Sequence, residues 1–161
     1  LENTYKIPLE KLLQQVITGP LKMQHTHYTV SPDQQSLLTT GYNNANGKAV
    51  SYWNLGDFKA AGGLKSDLHD MLIYLQANIS ATNPDIALSQ HKTSQQQGFS
   101  RGLAWMIEPS SKDTMIWHNG GTAGFRSFCG FLKNKKNGVV VLSNSDAAAD
   151  ALARKLLIFL P

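Results

Sequence analysis

The sequence predicts an α+β fold, an antiparallel β-sheet flanked by helices, on three observations. Short segments rich in aromatic and β-branched residues are confined to the last third of the chain, from Gly102 onward. Apolar residues at helical spacing precede them and close the chain. Strands and helices do not alternate as a parallel α/β plan would require. Residues 1–101 therefore read as a helical and loop region, and 102–161 as the sheet strands and a C-terminal helix.

The first helix follows Ile7 and Pro8, where proline suits the first turn, and carries Leu9, Leu12, Leu13, Val16 and Ile17 until Gly19-Pro20 stops it. Leu21 to Asn54 is polar and broken by Ser31-Pro32-Asp33 and Asn43 to Gly47, which predicts irregular loop with at most short strands. In "AAGGLKSDLHDMLIYL", Ser66 is the expected N-cap. Asp67 and Asp70 lie in the electropositive first turn, and Leu68, Met71, Leu72 and Leu75 form one apolar face. Asn83 to Gly102 reads as a long loop, with Ser94 to Gln97 nearest to low complexity.

Four strands are then expected: "GLAWMIE", "TMIWHNG", "SFCGFL" and "GVVVLSN", with Asn137-Gly138 closing the last hairpin. Lys133, Lys135 and Lys136 solvate its tip. "DAAADALARKLLIFL" should be a helix with Leu152, Leu156 and Leu160 on the side that lies across the sheet.

The 161 residues, 42% hydrophobic and 16% charged, suffice for one globular core. The net charge of +4 is dispersed, with no basic stripe interleaved with aromatics, so nucleic acid is not an expected partner. The single cysteine, Cys129, excludes an internal disulfide and reads as a packing residue. No stretch reaches the length needed to cross a bilayer as a helix, and no leader pattern opens the chain. Beginning with Leu1 inside a helix-like segment, the sequence reads as a piece cut from a longer protein.

His25 and His27 alone approach metal-ligand spacing. Without cysteine partners or a clustered carboxylate they read as loop histidines, and no metal or other cofactor is expected. Gly62-Gly63 and Gly120-Gly121 lack the flanking residues of a phosphate loop. Serine acyl transfer is the sharper possibility, since it needs backbone donors aimed at an oxyanion. In "WHNGGTAGF" a strand edge with Gly120 and Gly121 lets a substrate lie against the main chain, with His118 facing the same cleft. A tight glycine turn beside a buried histidine explains the same letters.

The run "KAAGGLKSDLHDMLIYL", then "GLAWMI", then "WHNGGTAGFRSFCGFLKNKKNGVVVLSN" resembles the C-terminal part of the serine β-lactamase and penicillin-binding protein superfamily. Class C β-lactamases, with their esterase and D-Ala peptidase relatives, are the nearest branch. "LEKLLQQVITGPLKM" also resembles a helix and following stretch of that family. The resemblance implies an incomplete β-lactamase/transpeptidase-like fold in a periplasmic or secreted hydrolase acting on a β-lactam, ester or D-alanyl peptide. It implies that His118-Asn119-Gly120 is the family's third motif and that Gly121 supplies an oxyanion-hole amide. Asn119, Gly120 and Thr122 would bind substrate.

His118 stands where β-lactamases usually carry lysine, and an imidazole is a weaker, pH-dependent anchor for an anion, which favours ester or peptide chemistry. The stretch after the last strand, "SDAAADALARK", has no arginine before Arg154, so the family's carboxylate anchor there is not matched.

The Ser-x-x-Lys and Tyr-x-Asn motifs would lie upstream of Leu1, so the catalytic nucleophile is expected in a missing N-terminal part and this chain alone is expected to be inert. Ser89-Gln90-His91-Lys92, Tyr42-Asn43-Asn44 and Tyr52-Trp53-Asn54 fit those patterns but read as chance matches. Expected partners are a small-molecule or peptide substrate, the missing N-terminal part, and a second copy through an exposed sheet edge. The alternative is a catalytically degenerate module that binds peptidoglycan or other peptides.

Overall fold

The computed structural model describes residues 1–96, 98–110 and 113–159. Its centre is a six-stranded, wholly antiparallel sheet in simple sequence order: β3 (Ser94–Gln96), β4 (Phe99–Arg101), β5 (Met106–Ser110), β6 (Asp113–Thr122), β7 (Phe125–Leu132) and β8 (Asn137–Ser143). Two further strands, β1 (Gly41–Tyr42) and β2 (Ala49–Val50), form a separate ribbon that reaches the end of β8 through a bridge between Tyr42 and Ser145. The remaining helices are α1 (Glu2–Tyr5), α2 (Leu9–Leu13), α3 (Gly19–Leu21), α4 (Leu68–Ser80), α5 (Pro84–Ser89) and α6 (Asp150–Phe159).

Strand alternation sorts the sheet residues into two cores. Ile107, Ile116, Cys129 and Phe131 point to one face, where Trp105 and Leu75 of α4 complete a buried cluster. Met115, Trp117, Phe128 and Leu132 point to the other, against Ala153 and Leu157 of α6. A helix on each face leaves the sheet centre dry on both sides. Full burial of Leu157 contributes about 2 kcal/mol, whereas Leu152 and Leu156 are exposed and add little. The expected apolar side of α6 is thus one position off, and Leu160 lies outside the described residues.

The face of α4 is corrected in the same way. Leu68 and Leu72 are exposed, while Asp70, Leu75 and Asn78 are buried. Its N-cap is Asp67, not Ser66, with the Asp70 amide donating to the Asp67 carboxylate at 2.8 Å. Asp70 itself accepts from the amides of Gln24 and His25 and the hydroxyl of Thr26, which ties the early loop to the start of α4. Asp70 lies in the first helical turn, as expected, with its carboxylate turned inward.

Other boundaries also shift. Gly19-Pro20 does not end the first helical stretch, which widens into a π turn over Gln14–Thr18 and runs to Leu21 before Lys22 turns left-handed. The wider turn accommodates Pro20, whose ring would otherwise meet the carbonyl one turn back. Val16 and Ile17 are exposed there. The expected loop from Asn83 to Gly102 contains α5, β3 and β4; Gln97 lies outside the described residues. C-terminal helix α6 begins at Asp150 because Asp146 is held outside it, accepting from the Asn44 amide and the Asn43 side chain.

The β7–β8 turn is Lys133 to Lys136, all exposed, and Asn137-Gly138 already belongs to β8. Gly138 is needed for another reason: a Cβ there would lie 2.9 Å from Leu75 Cδ2, so its absence lets α4 approach the sheet.

Asp113 holds that turn. Its carboxylate accepts from the amides of Thr114, Asn134 and Lys135 at 2.6 to 3.2 Å. Partial burial pushes the carboxyl up, but the amides of Asn134, Thr114 and Lys135 outweigh it, and the net shift is below the ordinary 3.8. A carboxyl held lower in the folded chain contributes stability that is present above its unfolded value and lost as pH falls through the folded one. Asp113→Asn should therefore flatten the decline in urea midpoint below about pH 4. An acid limb identical to that of the parent chain would show that Asp113 does not contribute to it.

Candidate active site at an open strand edge

The β5–β6 ladder runs from Ser110 opposite Asp113 to Met106 opposite Trp117 and stops there. Strand β6 continues, paired with β7 alone, from His118 opposite Cys129 to Thr122 opposite Phe125. From His118 to Thr122 one edge of β6 therefore has no strand beside it among the described residues. An extended ligand can add itself to such an edge through the main chain.

The glycine pair within this edge belongs to the strand and not to a turn. Neither Gly120 nor Gly121 has a positive φ; the turn follows at Ala123 and Gly124, where Gly124 has φ +72. Opposite Gly120 lies Ser127, whose Oγ would be 2.8 Å from a Cβ at position 120. Opposite Gly121 lies Arg126, and a Cβ at 121 would overlap its Nη1 and sit 2.9 Å from Cζ. Each glycine is thus overlaid by its cross-strand partner, the two on opposite faces of the sheet.

His118 is exposed, on the α4 face of β6, so the reading of a buried histidine in a tight turn does not describe this segment. It opens onto a cleft of about 300 Å³ lined also by Tyr74, Ser89, Trp105, Ser127 and Cys129. Asn119 points the other way, its Nδ2 donating to Asp150 at the start of α6 at 2.9 Å. Thr122 faces Gly62 on the opposite wall, where a Cβ would lie 3.5 Å from Thr122 Cγ2 and 3.8 Å from Leu55 Cδ1. Gly62 has φ 165, outside the left-handed region, and both distances are ordinary van der Waals contact.

The residues matching upstream motifs are committed elsewhere. Ser89 is the last residue of α5, its hydroxyl donating to the Ile86 carbonyl at 2.7 Å, and Lys92 lies beyond the helix. Ser-x-x-Lys needs both groups on one helical turn, which is not formed here. Tyr52 stacks on Phe125 with ring centroids 5.2 Å apart and donates to the Thr39 carbonyl; burial pushes its hydroxyl above the usual range. Tyr42 uses its main chain to bridge Asn144 and Asp146.

His25 and His27 bind within the protein, His25 Nδ1 to Asp67 and His27 Nε2 to the Gln24 carbonyl. Asp67, His69 and Asp70 bring ligand atoms within 4.8 Å of one another, a grouping not anticipated from sequence. The two carboxylates already serve as helix cap and loop anchor. Arg154 is likewise occupied. It pairs with Glu108 at 2.8 and 3.2 Å and lies 4.1 Å over the Trp117 ring, clamping α6 to β5 and β6.

The antiparallel sheet with a helix packed on each face superposes on solved structures of the β-lactamase class of fold. The chain belongs to the beta-lactamase family: the family model described as "Beta-lactamase" matches residues 1–160. It is 24% identical over 176 residues to a beta-lactamase of Pseudomonas fluorescens, covering 86% of this chain and 49% of that protein. A class C beta lactamase from Rhodobacter sphaeroides superposes with a TM-score of 0.87 at 18% identity, over 96% of this chain and 54% of that one. A beta-lactamase/D-alanine carboxypeptidase from Pseudomonas syringae gives 0.85 at 20% identity, over 95% and 53%. The chain therefore spans about half the length of the relatives it matches. Among the described residues no helix is long and apolar enough to cross a membrane.

Cys129 shares the cleft with His118 but is poorly suited to attack. It is buried, and desolvation pushes its thiol up to about 12. Iodoacetamide at about pH 8 should leave the folded chain unmodified by intact mass and add one adduct in denaturant. Rapid alkylation of the native chain would give Cys129 a reactive role.

Proposed function

We propose that residues 1–161 are the C-terminal portion of a serine hydrolase domain of the penicillin-recognising type. In this reading the parent protein carries the nucleophilic serine and its lysine upstream of Leu1. The observation that carries the proposal is the unpaired edge of β6 from His118 to Thr122, in a chain of the beta-lactamase family. The serine oxygen adds to the substrate carbonyl, and the Gly121 amide receives the developing oxyanion. The leaving group departs with a proton, and water then breaks the acyl-serine ester. His118 faces the reacting groups, while Asn119, Gly120 and Thr122 border the substrate. The substrate is a β-lactam, ester or D-alanyl peptide, and the parent acts in the periplasm or outside the cell. In isolated material β8, which ends the sheet, is the edge through which a second copy would pair.

The test compares this chain with a form extended upstream, each incubated with a fluorescent penicillin or a fluorophosphonate and examined by intact mass. One adduct on a serine of the longer form, and none on residues 1–161, is expected. Labelling at Ser89 would overturn the divided-site reading. Labelling of neither form would favour a peptide-binding module without catalysis. In the active form, a short-chain nitrophenyl ester or D-alanyl peptide should be turned over faster than a chromogenic cephalosporin. His118→Lys should shift that preference toward the lactam by about tenfold, the worth of one charge-assisted hydrogen bond.

A further inference from the structure

A second cavity opens on the α4 face, toward the opposite end of β6 from the glycine edge. Its floor is Ile107 and Ile116, and its rim carries His91, Lys92, Thr114 and Lys133 around a volume of about 220 Å³. Thr114 and His118 are separated by about 13 Å along an extended strand, so an occupant here is not the ligand of the candidate active site. Neither Lys92 nor Lys133 has a carboxylate oxygen within 4.0 Å, or a side-chain hydrogen bond, among the described residues. The acidic residues beside the floor in sequence alternate to the α6 face, and both are engaged. Asp113 accepts from the amides of Asn134 and Lys135, and Glu108 pairs with Arg154.

The wall that carries His91 and Lys92 is fixed at both ends. The Ser89 carbonyl accepts from the Leu103 amide at 2.8 Å, and the Thr93 amide donates to the Arg101 carbonyl at 2.8 Å. Between them Gln90 is buried and lines the cavity, its Nε2 donating to the Asn78 carbonyl of α4 at 2.7 Å. On the other side the Lys133 amide donates to the Thr114 carbonyl at 3.0 Å, which sets the Lys133 stem beside the floor. The backbone around the cavity is thus held in place by the protein itself, as in sites that are largely formed before a ligand arrives.

Two ammoniums, an imidazole and a hydroxyl above two isoleucines match an anion with a small apolar body. Lysine binds phosphate as a point charge, whereas the bidentate grip on a carboxylate belongs to arginine, and no arginine lines the cavity among the described residues. A phosphate monoester carries close to two negative charges at neutral pH, one for each ammonium, and its oxygens also accept from the Thr114 hydroxyl and the His91 ring. Pockets for drug-sized ligands run to about 300–1,000 Å³, so the space here suits a single ring or a short chain. We infer that this cavity is a binding site for a small organic phosphate, with the phosphoryl group between Lys92 and Lys133 and the apolar group on Ile107 and Ile116. The inference does not depend on the hydrolase reading above.

The experiment titrates the isotope-labelled full-length protein with phenyl phosphate and follows backbone amides in proton–nitrogen correlation spectra. Saturable shifts are expected at His91, Lys92, Thr114 and Lys133, with a Kd of about 1 mM or below. Inorganic phosphate lacks the apolar group and benzamide lacks the charge, so each should bind at least about tenfold more weakly. Benzoate, with the same ring and a single charge, should be weaker by about threefold or more. Lys92 and Lys133 are exposed, so glutamine at either leaves the core untouched. Lys92→Gln and Lys133→Gln should each raise the phenyl phosphate Kd by about two- to fivefold, and together by about tenfold. Added salt should weaken binding to the parent protein far more than to the double variant. Unchanged affinity in the double variant, shifts that map to other residues, or no saturable shift at all would overturn the inference. Equal affinity for inorganic phosphate would mark an adventitious ion only, and tighter binding of benzoate would mark a carboxylate site; both outcomes overturn it as well, and none of them touches the hydrolase reading.

Discussion

The register between β6 and β7 is the constraint on which the site depends. The two-residue loop at Ala123 and Gly124 places Thr122 opposite Phe125 and therefore Gly121 opposite Arg126, Gly120 opposite Ser127 and His118 opposite Cys129. A slip of one residue would send every side chain of β7 to the other face. Phe128 and Phe131, each about 1% exposed, would then exchange cores, a cost of several kcal/mol that keeps the pairing unique. Packing thus fixes the geometry of the glycine edge from a distance.

A second consequence is the division of labour between the two halves of β6. From Met115 to Trp117 the strand is paired on both sides and supplies the core residues Met115, Ile116 and Trp117. Beyond Trp117 it loses a neighbour, and burial gives way to exposure at His118 and Asn119. The change from structural to accessible backbone takes place within a single residue. The Arg154 clamp on Glu108 and Trp117 lies at this boundary, holding α6 against the last residues that are paired on both sides.

The fold class was legible because aromatic and β-branched segments are concentrated after Gly102, and the middle strands fall where that pattern placed them. The strands β3 and β4 were missed because "SQQ" and "FSR" carry little apolar signal; β4 is held by pairing to β5, and β3 by pairing to β4. Helix faces were misjudged where the decisive residue was polar or small. Asp70 turns inward on backbone donors, and Ala153 is buried against the sheet as fully as Leu157. The site was legible as a stretch, since "HNGG" joins a histidine to two glycines. What lies over those glycines was not, because Arg126 and Ser127 are seen to pair with them only once the turn is located.

The wall across from Thr122 carries its own implication. Gly62 has ordinary van der Waals clearance around a Cβ, so its surroundings leave room for a side chain at position 62. The breadth of the groove at Thr122 is accordingly set by a single adjustable locus outside the sheet. A bulkier residue there would shrink the room for whatever the ligand projects from the edge while leaving β6 and its neighbours in place, a cheap route by which related chains can diverge in ligand size without rebuilding their scaffold.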